Sequence, residues 1–216
     1  MKVAQNIDLL MKRTQGRVIV AATKYVGSEQ MRVLFESGIH DFGENRVQDM
    51  LRKQEELSDL SIQWHFIGSL QTNKVKSVIN RIHFLHSLDR LSLAEAIQKY
   101  RVEPLPCFVE VNVSQEASKS GIKPEELIDF CRNLENYDKI VVVGLMTMAP
   151  YTDDLNVIRA CFSSLRDLSD ALKRASLPGA PAPWLSMGMS NDYEVAIECG
   201  ATHLRLGSIL FDKGDE

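Results

Sequence analysis

Apolar and polar positions along this chain follow two rhythms. Short runs rich in β-branched and aromatic residues, such as Val18-Ile19-Val20-Ala21-Ala22 and Ile140-Val141-Val142-Val143, recur between longer amphipathic stretches. The runs predict eight strands, over 17–23, 40–43, 62–68, 82–87, 107–113, 140–146, 184–187 and 203–206. The stretches predict helices over 28–37, 46–57, 72–80, 92–101, 124–134, 155–175 and 193–199, and a further helix over 3–12 precedes the first strand. Boundary signals agree in several places. Ser28 opens one helix and Gly38 stands where it would stop. Pro124 with two glutamates behind it makes a favourable first turn, and Asp153 and Asp154 do the same for the long helix over 155–175.

No hairpin signal separates neighbouring strands, so the alternation of strand and helix predicts parallel pairing. Eight such units of about 27 residues fill the 216-residue chain. That count predicts one α/β domain over 1–216, a single (β/α)8 TIM barrel with an extra N-terminal helix. An open, doubly wound eight-stranded sheet is the rival arrangement. The connections are too short to hold a second domain, and the proline-rich patch over 178–183 reads as a tight turn between helix and strand.

Composition narrows the function classes. Hydrophobic residues make up 44% and charged residues 25%, as in ordinary globular chains. The net charge of −4, with no basic stripe, argues against nucleic acid as a partner. Cys107, Cys131, Cys161 and Cys199 are widely spaced with no CxxC pair, which fits a reducing compartment and buried apolar packing. The N-terminus has no apolar signal core, and no uninterrupted run reaches the ~18 apolar residues of a membrane span. A cytoplasmic location with no membrane contact is expected. The five histidines lack ligand spacing, so no metal is expected either.

A barrel places its chemistry at the C-terminal ends of its strands. Read in chain order, the polar residues there are Lys24, Glu44 and Asn45, His65, Asn112 and Ser114, Met146 with Thr147, Gly188 and Ser190, then Arg205, Gly207 and Ser208. Lys24 ends an apolar strand. Such a lysine is either a loop residue reaching solvent or an amine placed to attack a carbonyl carbon. The turns around Gly188-Met189-Ser190 and Gly207-Ser208 follow the last two strands, where barrels often hold phosphate on backbone N–H groups. Arg205 alternates with Leu204 and Leu206, so it faces the barrel interior and needs a partner there, with Glu44 as one candidate.

Several of these segments, taken together, resemble the pyridoxal 5′-phosphate (PLP) homeostasis protein family. They are Lys24 after its strand, Phe42-Gly43-Glu44-Asn45, Trp64-His65-Phe66-Ile67-Gly68, Asn112 with Ser118-Lys119-Ser120-Gly121, Gly144-Leu145-Met146-Thr147, Ser186-Met187-Gly188-Met189-Ser190 and Leu204-Arg205-Leu206-Gly207-Ser208. The match runs from about Val18 to Phe211 in the family's order. The family is in turn similar to the N-terminal barrel of alanine racemase, fold type III among PLP proteins. The resemblance implies a Schiff base between PLP and Lys24, phosphate held by Ser190, Gly207 and Ser208, and Arg205 beside the pyridine nitrogen. It further implies Asn45, His65 and Met146 along the ring and its 3′-oxygen. Tyr25, Ser208 and the charged tail after Phe211 depart modestly from the family pattern.

The implied function is non-catalytic: intracellular PLP homeostasis by buffering and delivery, with apo PLP-dependent enzymes as recipients and effects on amino-acid and keto-acid metabolism. An arginine at the ring nitrogen disfavours the extended carbanion chemistry of many PLP enzymes. Racemisation also needs acid and base groups on both substrate faces. Only 8 residues follow Ser208, so the racemase's second, C-terminal domain is not expected, and the protein is expected to be a monomer. The rivals are a weak PLP-dependent amino-acid racemase and a PLP-free Schiff-base lyase or phosphosugar-binding barrel. The charge run over 52–56 reads as an exposed helix face.

Overall fold

A computed structural model of the protein describes residues 2–116 and 119–211. Ser118 of the family-like motif and the charged tail beyond Phe211 lie outside the described residues. Eight parallel strands close into a barrel in chain order: β1 (Val18–Ala22), β2 (Asp41–Glu44), β3 (Gln63–Phe66), β4 (Phe84–Leu88), β5 (Leu105–Glu110), β6 (Ile140–Met146), β7 (Trp184–Ser186) and β8 (His203–Leu206). β8 pairs with β1, placing Arg205 opposite Val20 and closing the ring. The barrel prevails over the open sheet.

The helices are α1 (Lys2–Arg13), α2 (Ser28–Glu36), α3 (Val47–Glu56), α4 (Val75–Val78), α5 (Leu91–Tyr100), α6 (Leu127–Leu134), α7 (Leu155–Ala175), α8 (Tyr193–Glu198) and α9 (Ser208–Phe211). Gly27, rather than Ser28, caps α2, its N–H donating to Gln30 Oε1 at 3.0 Å. The Asp154 side chain accepts the Asn156 N–H at 2.9 Å and caps α7, which ends at Ser176 in the left-handed region. Asp154→Ala is expected to cost about 1 kcal/mol, measurable as a lowered urea midpoint with unchanged slope.

Two expectations shift. The helix predicted over 72–80 is only the single turn α4, flanked by 3-10 turns Thr72–Lys74 and Ile79–Arg81. Its buried residues Val75, Val78 and Ile79 are β-branched, which suits a tight packed connection better than a long helix. The strand predicted over 107–113 ends at Glu110, and beyond it Val111 makes an isolated bridge to Ile122. The register between β5 and β6 also slips at Cys107–Phe108. Gly144 sits just past that slip, where an added Cβ would fall 2.2 Å from the Trp184 carbonyl oxygen, so only glycine allows β7 to approach.

Side-chain alternation sorts the strands into two layers. Phe42, Trp64, Phe66, Leu85, Val109, Leu145, Leu204 and Leu206 join the buried core. The interior holds aromatic rings: His65 stacks on Phe84 at 4.6 Å, His86 on Phe108 at 4.4 Å, and His203 meets Phe108 at 5.0 Å and Trp184 at 5.1 Å. All four cysteines are free and buried. Burial pushes the Cys131 thiol up to about 12, which leaves it an inert apolar group. Among the described residues no helix is long and apolar enough to cross a membrane.

Candidate cofactor-binding site

A cleft of about 560 Å3 opens at the C-terminal end of the barrel, between the segments that follow β1, β6, β7 and β8. Lys24, Ser190, Arg205, Gly207 and Ser208 all line it. The parallel barrel brings these five together because each follows or ends a strand, and strand ends converge on one rim.

Lys24 is solvent-exposed, with its ammonium 4.9 Å from the Tyr25 ring centroid. Its root is held firmly. The Thr23 carbonyl accepts from Lys53 Nζ at 2.7 Å, and the Thr23 hydroxyl donates to Glu44 Oε1 at 2.7 Å. Lys53 and Glu44 themselves form a buried ion pair between α3 and β2. The charge run over 52–56 is therefore not wholly an exposed face: Arg52 and Glu56 pair at the surface while Lys53 turns inward. Glu44 is committed to Lys53 and is not the partner of Arg205.

The two glycine-containing turns meet. Ser190 Oγ accepts the Gly207 N–H at 3.1 Å and the Ile209 N–H at 3.4 Å, so two backbone donors converge on one acceptor. Gly188 makes the turn with φ +95°, and a Cβ there would stand 2.6 Å from Ala196 Cβ.

Arg205 is buried and points into the barrel. Its Nη1 donates to Ser186 Oγ at 2.7 Å and its Nη2 to the Thr147 carbonyl at 2.9 Å. Both acceptors are neutral. Glu110 and Asp192 act on the guanidinium only through space, and burial lowers it to about 10, which leaves it cationic at neutral pH. A buried cation with neutral partners, converging N–H donors and a primary amine in one cleft fit a ligand that carries a phosphate, a ring acceptor and a carbonyl carbon. PLP has all three.

Four sequence candidates stand elsewhere. His65 is fully buried inside the barrel, bonded to Asp41 and His86, and is not among the residues that line the cleft. Met146 is buried at the end of β6, and Asn45 is exposed beyond β2 next to Gly68; neither borders the cleft. Asn112 closes its own loop, donating to the Glu116 and Lys119 carbonyls. Sequence reasoning missed Tyr151, Asp192 and the buried Glu110, whose carboxyl burial pushes up to about 7 with Asp89 adding to the rise. Glu110 ends β5, but it lies inside an apolar run that reads as ordinary strand. No group of three or more His, Cys, Asp or Glu residues among those described could hold a metal ion.

Comparison with known proteins places this geometry. A family model described as the alanine racemase N-terminal domain matches residues 1–213. The pyridoxal phosphate homeostasis protein of Aquifex aeolicus is 43% identical over 196 residues, covering 89% of this chain and 85% of that protein. The protein of the same name from Pasteurella multocida is 34% identical over 223 residues, covering 99% and 95%. Among solved structures, PipY of Synechococcus elongatus without PLP superposes with a TM-score of 0.92 at 29% identity, covering 97% of this chain and all of that one. The same protein with PLP bound gives 0.87 at 27% identity, again covering 97% of this chain and 100% of that one. Alanine racemase from Corynebacterium glutamicum shares the fold alone, with a TM-score of 0.80 at 14% identity over 100% of this chain and 63% of that one. The chain therefore belongs to the alanine racemase N-terminal domain family and, within it, to the pyridoxal phosphate homeostasis proteins.

Proposed function

We propose that this protein binds PLP in the cleft at the C-terminal end of the barrel and serves PLP homeostasis as a non-catalytic holder of the cofactor. The observation that carries the reading is the convergence on one cavity of Lys24, Arg205 and the turn where Ser190 Oγ accepts the Gly207 and Ile209 N–H groups. When bound, PLP supplies an aldehyde carbon open to primary amines and a ring that withdraws electrons.

The chain's own groups divide the work. Lys24 offers the primary amine, on a backbone anchored by Lys53 through the Thr23 carbonyl. Ser190, Gly207 and Ser208, which line the cleft together, would hold the phosphate. Arg205 would stand at the ring nitrogen and could only donate a hydrogen bond there, since it stays cationic with a value of about 10. It therefore gives the ring no proton, which limits electron withdrawal. Asn45, His65 and Met146 do not line the cleft, and His65 alone is joined to it, by hydrogen bonds through His86 and Ser186 to Arg205.

A racemase needs a second positioned acid or base across the substrate. The tyrosines at the cleft rim, Tyr25 at 88% exposed and Tyr151 at 98%, lack hydrogen bonds that would fix them, among the described residues. The open mouth would leave room for an incoming amine beside Lys24. Such room suits delivery to apo PLP-dependent enzymes by a cytoplasmic, monomeric carrier.

Titration of the purified protein with PLP should produce a visible absorbance band that borohydride bleaches and fixes covalently. Lys24→Ala should abolish the borohydride-fixed adduct. A wild-type protein that stays colourless with PLP sinks the reading, as does equal fixation in the variant. Amino-acid racemisation that depends on Lys24, followed by loss of optical rotation, would replace the holder with an enzyme.

A further inference from the structure

Inside the barrel, beneath the cleft, five polar side chains from five different strands form an unbroken line. Asp41 of β2 meets His65 Nε2 at 2.9 Å, and His65 Nδ1 meets His86 Nε2 at 2.9 Å. His86 Nδ1 meets Ser186 Oγ at 2.8 Å, and Ser186 Oγ meets Arg205 Nη1 at 2.7 Å. His65, His86, Ser186 and Arg205 are buried, and Asp41 alone is partly exposed, at 28%, where β2 begins.

The donors and acceptors permit one direction only. A guanidinium has no lone pair to offer, so Arg205 donates and Ser186 Oγ accepts. Ser186 keeps its own proton to donate, and His86 Nδ1 is the acceptor within reach when that imidazole is protonated on Nε2. That makes His86 the Nε2–H tautomer, donating to His65 Nδ1. His65 in turn carries its proton on Nε2 and donates to the Asp41 carboxylate. Reasoning from the carboxylate end, which can only accept, yields the same assignment. Burial holds both imidazoles below the usual histidine range and hence neutral, as the assignment requires.

We infer that Asp41, His65, His86 and Ser186 are positioning residues for Arg205, joined in a one-directional hydrogen-bond relay that crosses the barrel interior. The Thr147 carbonyl fixes one Nη of Arg205 and the relay fixes the other, so the guanidinium plane has little freedom. The carboxylates that act on the guanidinium through space are Glu110 and Asp192, so the relay's part is to orient it. The relay's existence concerns the protein by itself, while its bearing on a pyridine nitrogen rests on the PLP reading above. His203 stays off the line, its Nδ1 paired with Thr202 Oγ1 at 2.9 Å.

The test is 15N nuclear magnetic resonance of the ligand-free, histidine- and arginine-labelled protein, so that failure to bind PLP has no influence on the result. Wild-type His65 and His86 should both carry the proton on Nε2. A trans-hydrogen-bond coupling should link His86 Nε2 to His65 Nδ1. Asp41→Asn keeps an acceptor but removes the charge. It should move the His86 Nε2–H resonance upfield along with that of His65. A role for Asp41 in local packing alone would leave His86 untouched. Ser186→Ala should broaden the Arg205 side-chain N–H signals. A proton on Nδ1 of His65 or His86, no coupling between them, a His86 resonance indifferent to Asp41→Asn, or an unaltered Arg205 in Ser186→Ala each overturns the relay.

Discussion

Replacing Lys53 with methionine is expected to lower the unfolding free energy by about 3–5 kcal/mol, the cost of removing one partner of a buried ion pair. Lys53 is 2% exposed and Glu44 0%, and their heads approach to 2.5 Å in the layer between α3 and β2. Glu44 Oε2 has no hydrogen-bond partner among the described residues, so the carboxylate depends on Lys53 and on the Thr23 hydroxyl, both acting at Oε1. Without the ammonium, a carboxylate is left in a dry site with one neutral donor. The double variant Lys53→Met with Glu44→Leu should regain most of the loss, because a buried pair and a well-packed apolar pair are often similar in stability. Urea unfolding of the three proteins checks this, and a loss below about 1 kcal/mol in Lys53→Met would show that water reaches the pair. The single variant should also weaken PLP attachment, since Lys53 Nζ holds the Thr23 carbonyl at the root of Lys24.

The second large effect appears only with pH. Glu110 is 4% exposed, and its carboxyl is raised from 4.5 to about 7, chiefly by burial and then by Asp89, against the opposing pull of Arg205 and Arg90. Between those two values the folded protein binds a proton that the unfolded chain has released, so stability falls as pH rises through this window. At roughly 1.4 kcal/mol per unit, the loss approaches about 3 kcal/mol once the pH exceeds 7. Glu110→Gln cannot ionise and should escape it. The variant is expected to match wild type near pH 5 and to exceed it by about 3 kcal/mol near pH 8.5. The buried histidines act in the opposite sense. His203 is lowered to about 3, and His65 and His86 are lowered by burial, so their neutral forms stabilise the fold above the ordinary histidine range and lose that contribution as pH falls. They are common to both proteins and cancel in the comparison. Urea midpoints at the two pH values provide the measurement; an equal difference at both would mean that Glu110 is not the titrating group.

The two predictions involve residues that differ in how visible they are along the chain. Lys24, Ser190, Arg205, Gly207 and Ser208 could be picked out because a parallel barrel sends every strand end to one rim, whatever the rest of the packing does. Lys53 could not, since it lies in a run of charges on an amphipathic helix and only the inward turn of α3 buries it. Glu110 is hidden in an apolar run and becomes unusual only when β5 ends against Arg205 and Asp89. His65 was visible as a polar residue in β3, but its depth was not, because depth follows from the tilt and stagger of strands around the closed ring.

By itself, the sequence determined the order of the eight units, most of their element types and their parallel pairing, and it singled out five of the residues that line the cleft. All of these follow from local periodicity and from the shared direction of parallel strands. The tertiary structure alone decided who pairs with whom in the interior. Asp41 and His65 are 24 positions apart, His65 and His86 21, and His86 and Ser186 100, and no local pattern encodes such partners. Their meeting depends on the registers between neighbouring strands and on closure of the ring, which brings β4 and β7 to face one another across the interior.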